Sequence, residues 1–131
     1  MKQLPAEMRD WYFPFNWNLE RLWALEVPVE EKPMSELEWH FDIPIWSSVK
    51  GKMLFDLRPS VVLENPGMYL RHDRRIEATD ISFPIDMMYT VDRHAIIDGV
   101  HRLAKCARLG LKNVKLRVIP RGYIALFAEE A

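Results

Sequence analysis

The stretch Ala95-Ile-Ile-Asp-Gly-Val-His-Arg-Leu-Ala-Lys-Cys-Ala-Arg-Leu-Gly110 constrains the fold more than any other part of the chain. A β-branched run ends in Asp98-Gly99, and a basic, amphipathic segment starts at once and stops at Gly110. Strand, glycine turn and helix start together turn unpaired N–H groups and a positive dipole end toward an anion. Within the helix, Val100, Leu103, Ala104 and Ala107 form an inward stripe. His101, Lys105 and Arg108, at i, i+4 and i+7, line one outward face.

The candidate anion-binding residues are therefore Gly99, Val100, His101, Arg102 and Lys105. Backbone donors near Val100 to Arg102 would meet the anion, and Arg102 could grip it with a bidentate fork. Asp98 and His101 are the candidate catalytic groups. Asp98 could hold His101 or Arg102, bind a metal on phosphates, or act as a base. Its plainer alternative is to N-cap the helix, for which an aspartate is well suited.

At 131 residues the chain has the length of one domain with one ordinary core. An apolar share of 49% and a charged share of 28% are those of a globular protein rather than a disordered one. No apolar run nears the roughly 18 residues that span a bilayer, so no membrane partner is expected. The N-terminus does not read as a secretory signal, and the single cysteine, Cys106, excludes an intrachain disulfide. Cytoplasm is the expected compartment.

The net charge of −1 hides an asymmetry. Residues 1–66 carry 7 Lys/Arg against 11 Asp/Glu, and residues 67–131 carry 11 against 8. A basic half around the glycine turn suits an anionic ligand. The total is too low for a strongly non-specific DNA binder, which must neutralise many phosphates.

The remaining chain reads as short elements. Residues 1–18 form an aromatic arm (Trp11, Tyr12, Phe13, Phe15, Trp17) broken by Pro14. Sealing the core or a homodimer contact is a better use for those rings than base stacking. Residues 19–131 form the domain proper. Alternation of Leu19, Arg21, Trp23, Leu25, Val27 and Val29 predicts a strand ending at Pro28. Ser35-Glu-Leu-Glu38 has capping-box spacing and predicts a short helix. Phe41 to Trp46 is an extended piece, Lys50-Gly-Lys52 a turn, and Pro59 opens a helix that Asn65-Pro-Gly67 ends.

Met68 to Ala78 reads as a polar helix, Ile81 to Tyr89 as a strand, and His94 to Asp98 as a second strand. Val114, Leu116 and Val118 alternate with Lys115, Arg117 and Ile119 in another strand, and the tail Tyr123 to Ala128 is apolar enough to pack back. Strands mixed with short helices predict an α+β domain with a small mixed sheet.

Other sites are weaker. Arg71, Arg74 and Arg75 with His72 could add positive charge to the same ligand or meet nucleic acid, although such clusters are commonly solvated faces. Cys106 reads as a buried structural thiol. His40, His72, His94 and His101 show no zinc spacing, so no protein metal site is expected. Hydrolase and Walker motifs are absent from the sequence.

The segment FPIDMMYTVDRHAIIDGVHRLAKCARLGLKNVKLRVI (Phe83 to Ile119) resembles the core of the ParB/sulfiredoxin superfamily. The shared features are Pro-Ile at a strand start, a hairpin, a Gly-x-x-Arg turn, a helix ending in Leu-Gly and a closing Val-rich strand. The match covers about 37 residues well, and Leu19 to Leu37 follow the family's first strand and helix in outline only. The resemblance implies a ParB/sulfiredoxin-like fold and a nucleotide-phosphate pocket at Gly99 to Arg102, with ATP, ADP or CTP as cofactor and Mg²⁺ as a companion.

It also implies several incompatible functions. Sulfiredoxins carry a cysteine where this chain has Val100, so their nucleophile is missing, and Cys106 lies too far along the helix to replace it. Partition proteins carry Gly-Glu-Arg-Arg and a DNA-reading domain; here the turn is Gly-Val-His-Arg and the sequence ends about a dozen residues after the matching strand. Free-serine kinases carry Asp-Gly-His-His-Arg, to which AIIDGVHR is most similar, departing at Val100. By that similarity Asp98, His101 and Arg102 would contact phosphates or metal, with Glu36 or Glu38 the candidate bases. The expectation is a nucleotide- or phosphate-binding domain, with a nucleotide-dependent phosphotransferase as one form of it. The alternatives are a nucleic-acid-associated module and a degenerate member whose turn is structural.

Overall fold

A computed structural model describes residues 13, 15–51, 54–90 and 93–129. Its centre is a four-stranded sheet in the order β2-β5-β3-β4, built from β2 (Glu30–Pro33), β3 (Ile85–Tyr89), β4 (His94–Asp98) and β5 (Asn113–Val118). β3 lies parallel to β5, and the other neighbours are antiparallel. A two-stranded ribbon pairs β1 (Asn16–Trp17) with β6 (Ala128–Glu129). The helices are short: α1 (Leu19–Trp23), α2 (Pro59–Glu64), α3 (Leu70–Ala78), α4 (Val100–Arg108) and α5 (Ile124–Phe127), with 3₁₀ turns at Met34–Glu36, Glu38–Asp42 and Arg121–Tyr123. This is a mixed α+β arrangement. No helix among the described residues is long and apolar enough to cross a membrane.

Strand alternation splits the core into two layers. Ile85, Met87, Ile96, Val114 and Leu116 face one way and pack with Leu103, Ala104 and Cys106 of α4. Met88, Ala95, Ile97 and Ile119 face the other way, against Leu22 of α1 and Phe127 of α5. Phe13, Phe15 and Trp17 join this second layer with edge-on and tilted ring contacts, which accounts for the described part of the aromatic arm. Trp11, Tyr12 and Pro14 lie outside the described residues.

Leu19 to Val29 is not the predicted strand. Residues 19–23 form α1, because the Asn18 side chain accepts the Arg21 N–H at 3.0 Å and caps the helix start. Helical spacing then buries Leu22 at 0% exposure, while strand alternation would have placed it opposite the Leu19, Arg21 and Trp23 face. The strand that exists begins later, at Glu30, as a polar edge ending in Pro33. The predicted helix at Ser35 is two 3₁₀ turns. α2 starts on Pro59 as its sequence predicts, and α4 runs between Gly99 and Leu109.

One irregularity sets up the site. Met87 opposes Ile96, but Asp86 opposes Asp98, so Ile97 is left as an extra residue on β4. Such a bulge re-aims the side chain that follows it. Strict alternation after Ile97 would send Asp98 to the Ile96 face; instead it meets Trp23 of α1.

Candidate functional site

The Gly99 turn is built as its sequence demands. Gly99 has φ +118°, a left-handed conformation that disfavours any side chain. A Cβ there would lie 3.1 Å from Ile85 Cγ1 and 3.3 Å from Arg102 Cζ. Leu103 N–H bonds to the Gly99 carbonyl at 2.9 Å, which starts α4, and no side chain caps the helix. The N–H groups of Val100, His101 and Arg102 form the first turn, where donors lack intrahelical partners.

The two flanks of this turn differ. On the α1 flank, the Arg102 guanidinium donates to Asp98 Oδ2 at 2.5 Å and to the Pro84 carbonyl. Trp23 Nε1–H donates to the same Asp98 oxygen at 2.9 Å. Asp98 therefore holds Arg102 rather than His101, and it does not cap the helix. Beside it, Asp86 and Arg117 form a buried pair at 2.7 Å across the β3–β5 junction. Arg117 also donates to the carbonyls of Leu25 (2.7 Å) and Leu22 (3.0 Å), tying down the end of α1. Burial pushes the Asp86 carboxyl up, against the opposing pull of Arg117.

On the α3 flank, His101 is half-buried rather than turned out to solvent. α3 packs over the His101 and Lys105 part of the face predicted to be outward, because its own polar side chains meet α4, while Arg108 at the far end of that face stays exposed. His101 Nε2 lies 3.1 Å from His72 Nδ1, and His72 Nε2 lies 2.7 Å from the Ser47 carbonyl. A carbonyl only accepts, so His72 carries its proton on Nε2, and His101 Nε2–H donates to His72 Nδ1. With that assignment the 3.2 Å approach of Arg71 to His72 Nε2 is a contact only, and Arg71 donates to the Ser47 carbonyl at 2.6 Å. Trp46 lies over both imidazoles, 4.6 Å from His72 and 4.3 Å from His101, with its ring nearly parallel to each.

Both histidines are neutral near pH 7. Burial, then the charge of Arg75, of His72 once acid protonates it, and of Arg71, pushes His101 down to about 3. Burial, helped by the Arg71 and Arg75 charges, lowers His72 against the Ser47 bond. Arg75 makes no hydrogen bond or ion pair among the described residues; burial and the Arg71 charge lower its own pKa, against the opposing pull of the Asp98 carboxylate. A hollow of about 280 Å³ lies here, bordered by Trp46, Ser47, Gly51, Arg71, His72 and Arg75.

Lys105 is engaged elsewhere. Its ammonium donates to the carbonyls of Glu77 and Thr79, both at 2.8 Å, and so closes the C-terminal end of α3. Arg108 similarly pairs with Asp73 at 2.6 Å. Cys106 is buried and unpaired, and burial raises its thiol pKa, as expected of a structural cysteine. Among the described residues no group of three His, Cys, Asp or Glu side chains could hold a metal ion. A Mg²⁺ ion at this turn would thus depend on phosphate oxygens for most of its ligands.

Sequence reasoning brought Asp98, Gly99, His101 and Arg102 to one place and associated His72 with them. It did not find Trp23, Trp46, Asp86 or Arg117. Arg117 had a signal: it shares a strand face with Ile119, so that face could not be plain solvent. Asp86 had another, as a lone carboxylate inside Ile85-Asp-Met-Met88. No protein-family model matches the chain, and neither a curated protein nor a solved structure matches it.

Proposed function

We propose that this chain is a nucleotide- or phosphate-binding domain of ParB/sulfiredoxin-like kind, with the anion held where the first turn of α4 meets α3. The observation that carries the reading is surplus positive charge: Arg71 and Arg75 sit beside two neutral imidazoles, and Arg75 has no ion-pair partner among the described residues. In this reading the anion extends from the hollow beside Arg71 and Arg75 to the start of α4, where a left-handed glycine and no side-chain cap leave N–H donors and dipole to add to the charge. An anion there would relieve the repulsion between the two guanidiniums.

In this reading the roles divide differently from a simple Gly-x-x-Arg grip. Arg75 and Arg71 meet the phosphate, together with the α4 backbone. Arg102 is a positioning residue that fixes the turn through Asp98 and the Pro84 carbonyl. His101 is a neutral hydrogen-bonding group rather than an acid at pH 7. Binding is favoured over phosphotransfer, because Asp98 Oδ2 already accepts from both Arg102 and Trp23.

Thermal-shift and calorimetric titrations with ATP, ADP, CTP and inorganic phosphate, each with and without Mg²⁺, test the proposal. At least one should stabilise the wild type, and Arg75→Ala should lose that stabilisation while melting normally on its own. If no phosphate compound binds, the proposal fails. Turnover in the same mixtures would favour a phosphotransferase.

A further inference from the structure

The α1 flank holds the larger hollow, about 580 Å³, a size in the usual range for small-molecule sites. Its walls are apolar: Trp23, Val27, Val29, Phe83 and Pro84. Trp23 and Phe83 keep 54% and 64% of their surface exposed, so two large rings border it largely uncovered. Trp23 is nevertheless fixed, because its indole N–H is bonded to Asp98. A pinned ring offers its face at little further entropic cost.

The polar part of this hollow is an acceptor. Asp86 lines it at 1% exposure, and only its Oδ1 is bonded, to Arg117. Oδ2 makes no hydrogen bond among the described residues. A carboxylate oxygen can accept two bonds, so this atom, which opens to the hollow, has unused capacity beside largely apolar walls where a donor counts for most. The nearby cations are already committed. Arg117 serves Asp86 and the Leu22 and Leu25 carbonyls, and Arg102 serves Asp98 and the Pro84 carbonyl. Asp80 adds another negative charge at the rim.

We propose that this hollow is a second binding site, separate from the phosphate region, for a small planar aromatic molecule bearing an amidinium or amino group. The ring packs against Trp23 and Phe83, and an N–H of the ligand donates to Asp86 Oδ2. An aromatic anion of the same shape is excluded, since it would set its charge against Asp86 and find no uncommitted guanidinium.

Benzamidine and benzoate, flat rings of nearly equal size and opposite charge, are the probes. They are titrated to millimolar concentration into the full ¹⁵N-labelled chain, and the Trp23 indole N–H signal is followed. Benzamidine should shift that signal saturably and benzoate should not. Asp86→Asn should weaken benzamidine about ten- to hundredfold, the loss expected for one charge-assisted hydrogen bond. Because Asp86 is buried in an ion pair, that variant can fail to fold; Val29→Trp, placed on the exposed rim, fills the hollow without touching the pair. It should melt like the wild type and abolish the Trp23 shift. Equal shifts by benzoate, no saturable shift by benzamidine, or unchanged affinity in folded Val29→Trp or folded Asp86→Asn would each overturn the proposal.

Discussion

The two sides of the Gly99 turn start from the same backbone and arrive at opposite chemistry. Toward α1, the two guanidiniums that line the larger hollow each have a carboxylate: Arg102 has Asp98, and Arg117 has Asp86. Toward α3, Arg71 and Arg75 face His72 and His101, which are neutral at pH 7. The difference teaches that charge becomes available to a ligand through lack of pairing, not through its position in a motif. Arg102 is the arginine that the turn motif singles out, yet it is already spent on Asp98 and the Pro84 carbonyl.

Breaking the α1 side should have the largest effect. Arg117→Met leaves Asp86 buried without its partner and frees the Leu22 and Leu25 carbonyls at the end of α1 and just beyond it, so urea denaturation should show a loss of about 3–5 kcal/mol. A loss near zero would mean that the pair is not buried as described.

Acid acts on the buried titratable groups with opposite signs. His40 is pushed down to about 4 by burial, with Ile96 N–H bonded to its Nε2, and His101 is pushed down to about 3. Both folded values lie below the ordinary 6.5, so the unfolded chain binds protons first. Their stabilising contribution is complete above pH 6.5 and is lost as pH falls toward 4 for His40 and toward 3 for His101. Asp86 runs the other way: its raised pKa adds a cost that is absent below 3.8 and sets in as pH rises through the folded value. Melting temperature should therefore fall from pH 6.5 to 4, and the fall should be shallower in His40→Gln despite that variant's lower absolute stability.

Smaller changes sharpen the roles of the helix residues. Arg102→Ala should cost about 1–3 kcal/mol in stability, since Asp98 and the Pro84 carbonyl lose their donor. A freely exposed phosphate-gripping arginine would instead leave stability unchanged. Lys105→Ala should cost only about 0.3–1 kcal/mol, the value of a cation at a helix C-terminus, with no change in phosphate affinity. A large loss of affinity would return Lys105 to the binding site.

Much of this was legible in the sequence where local and tertiary preferences agree. β3, β4, α4 and β5 follow from alternation, the Gly99 turn and the stop at Gly110, all of which serve the sheet and its covering helix. α1 was illegible, because Leu19 to Val29 alternates as a strand would. The Asn18 cap and the hold of Arg117 on the Leu22 and Leu25 carbonyls, made across 95 and 92 residues, override that pattern. β2 carries no apolar alternation and is set by pairing with β5. In the site, residue types near the turn could be read, but pairing could not. Which arginine is spent and which is unpaired depends on the β4 bulge and on the packing of α3 against α4.

The most direct test is a phosphate titration followed at individual amides of the ¹⁵N-labelled chain. The largest shifts should fall at the backbone N–H groups of Val100, His101 and Arg102 and at the His72 ring, with the Trp23 indole N–H unmoved. Shifts centred on the Trp23 indole, with the first turn of α4 silent, would contradict that placement of the anion.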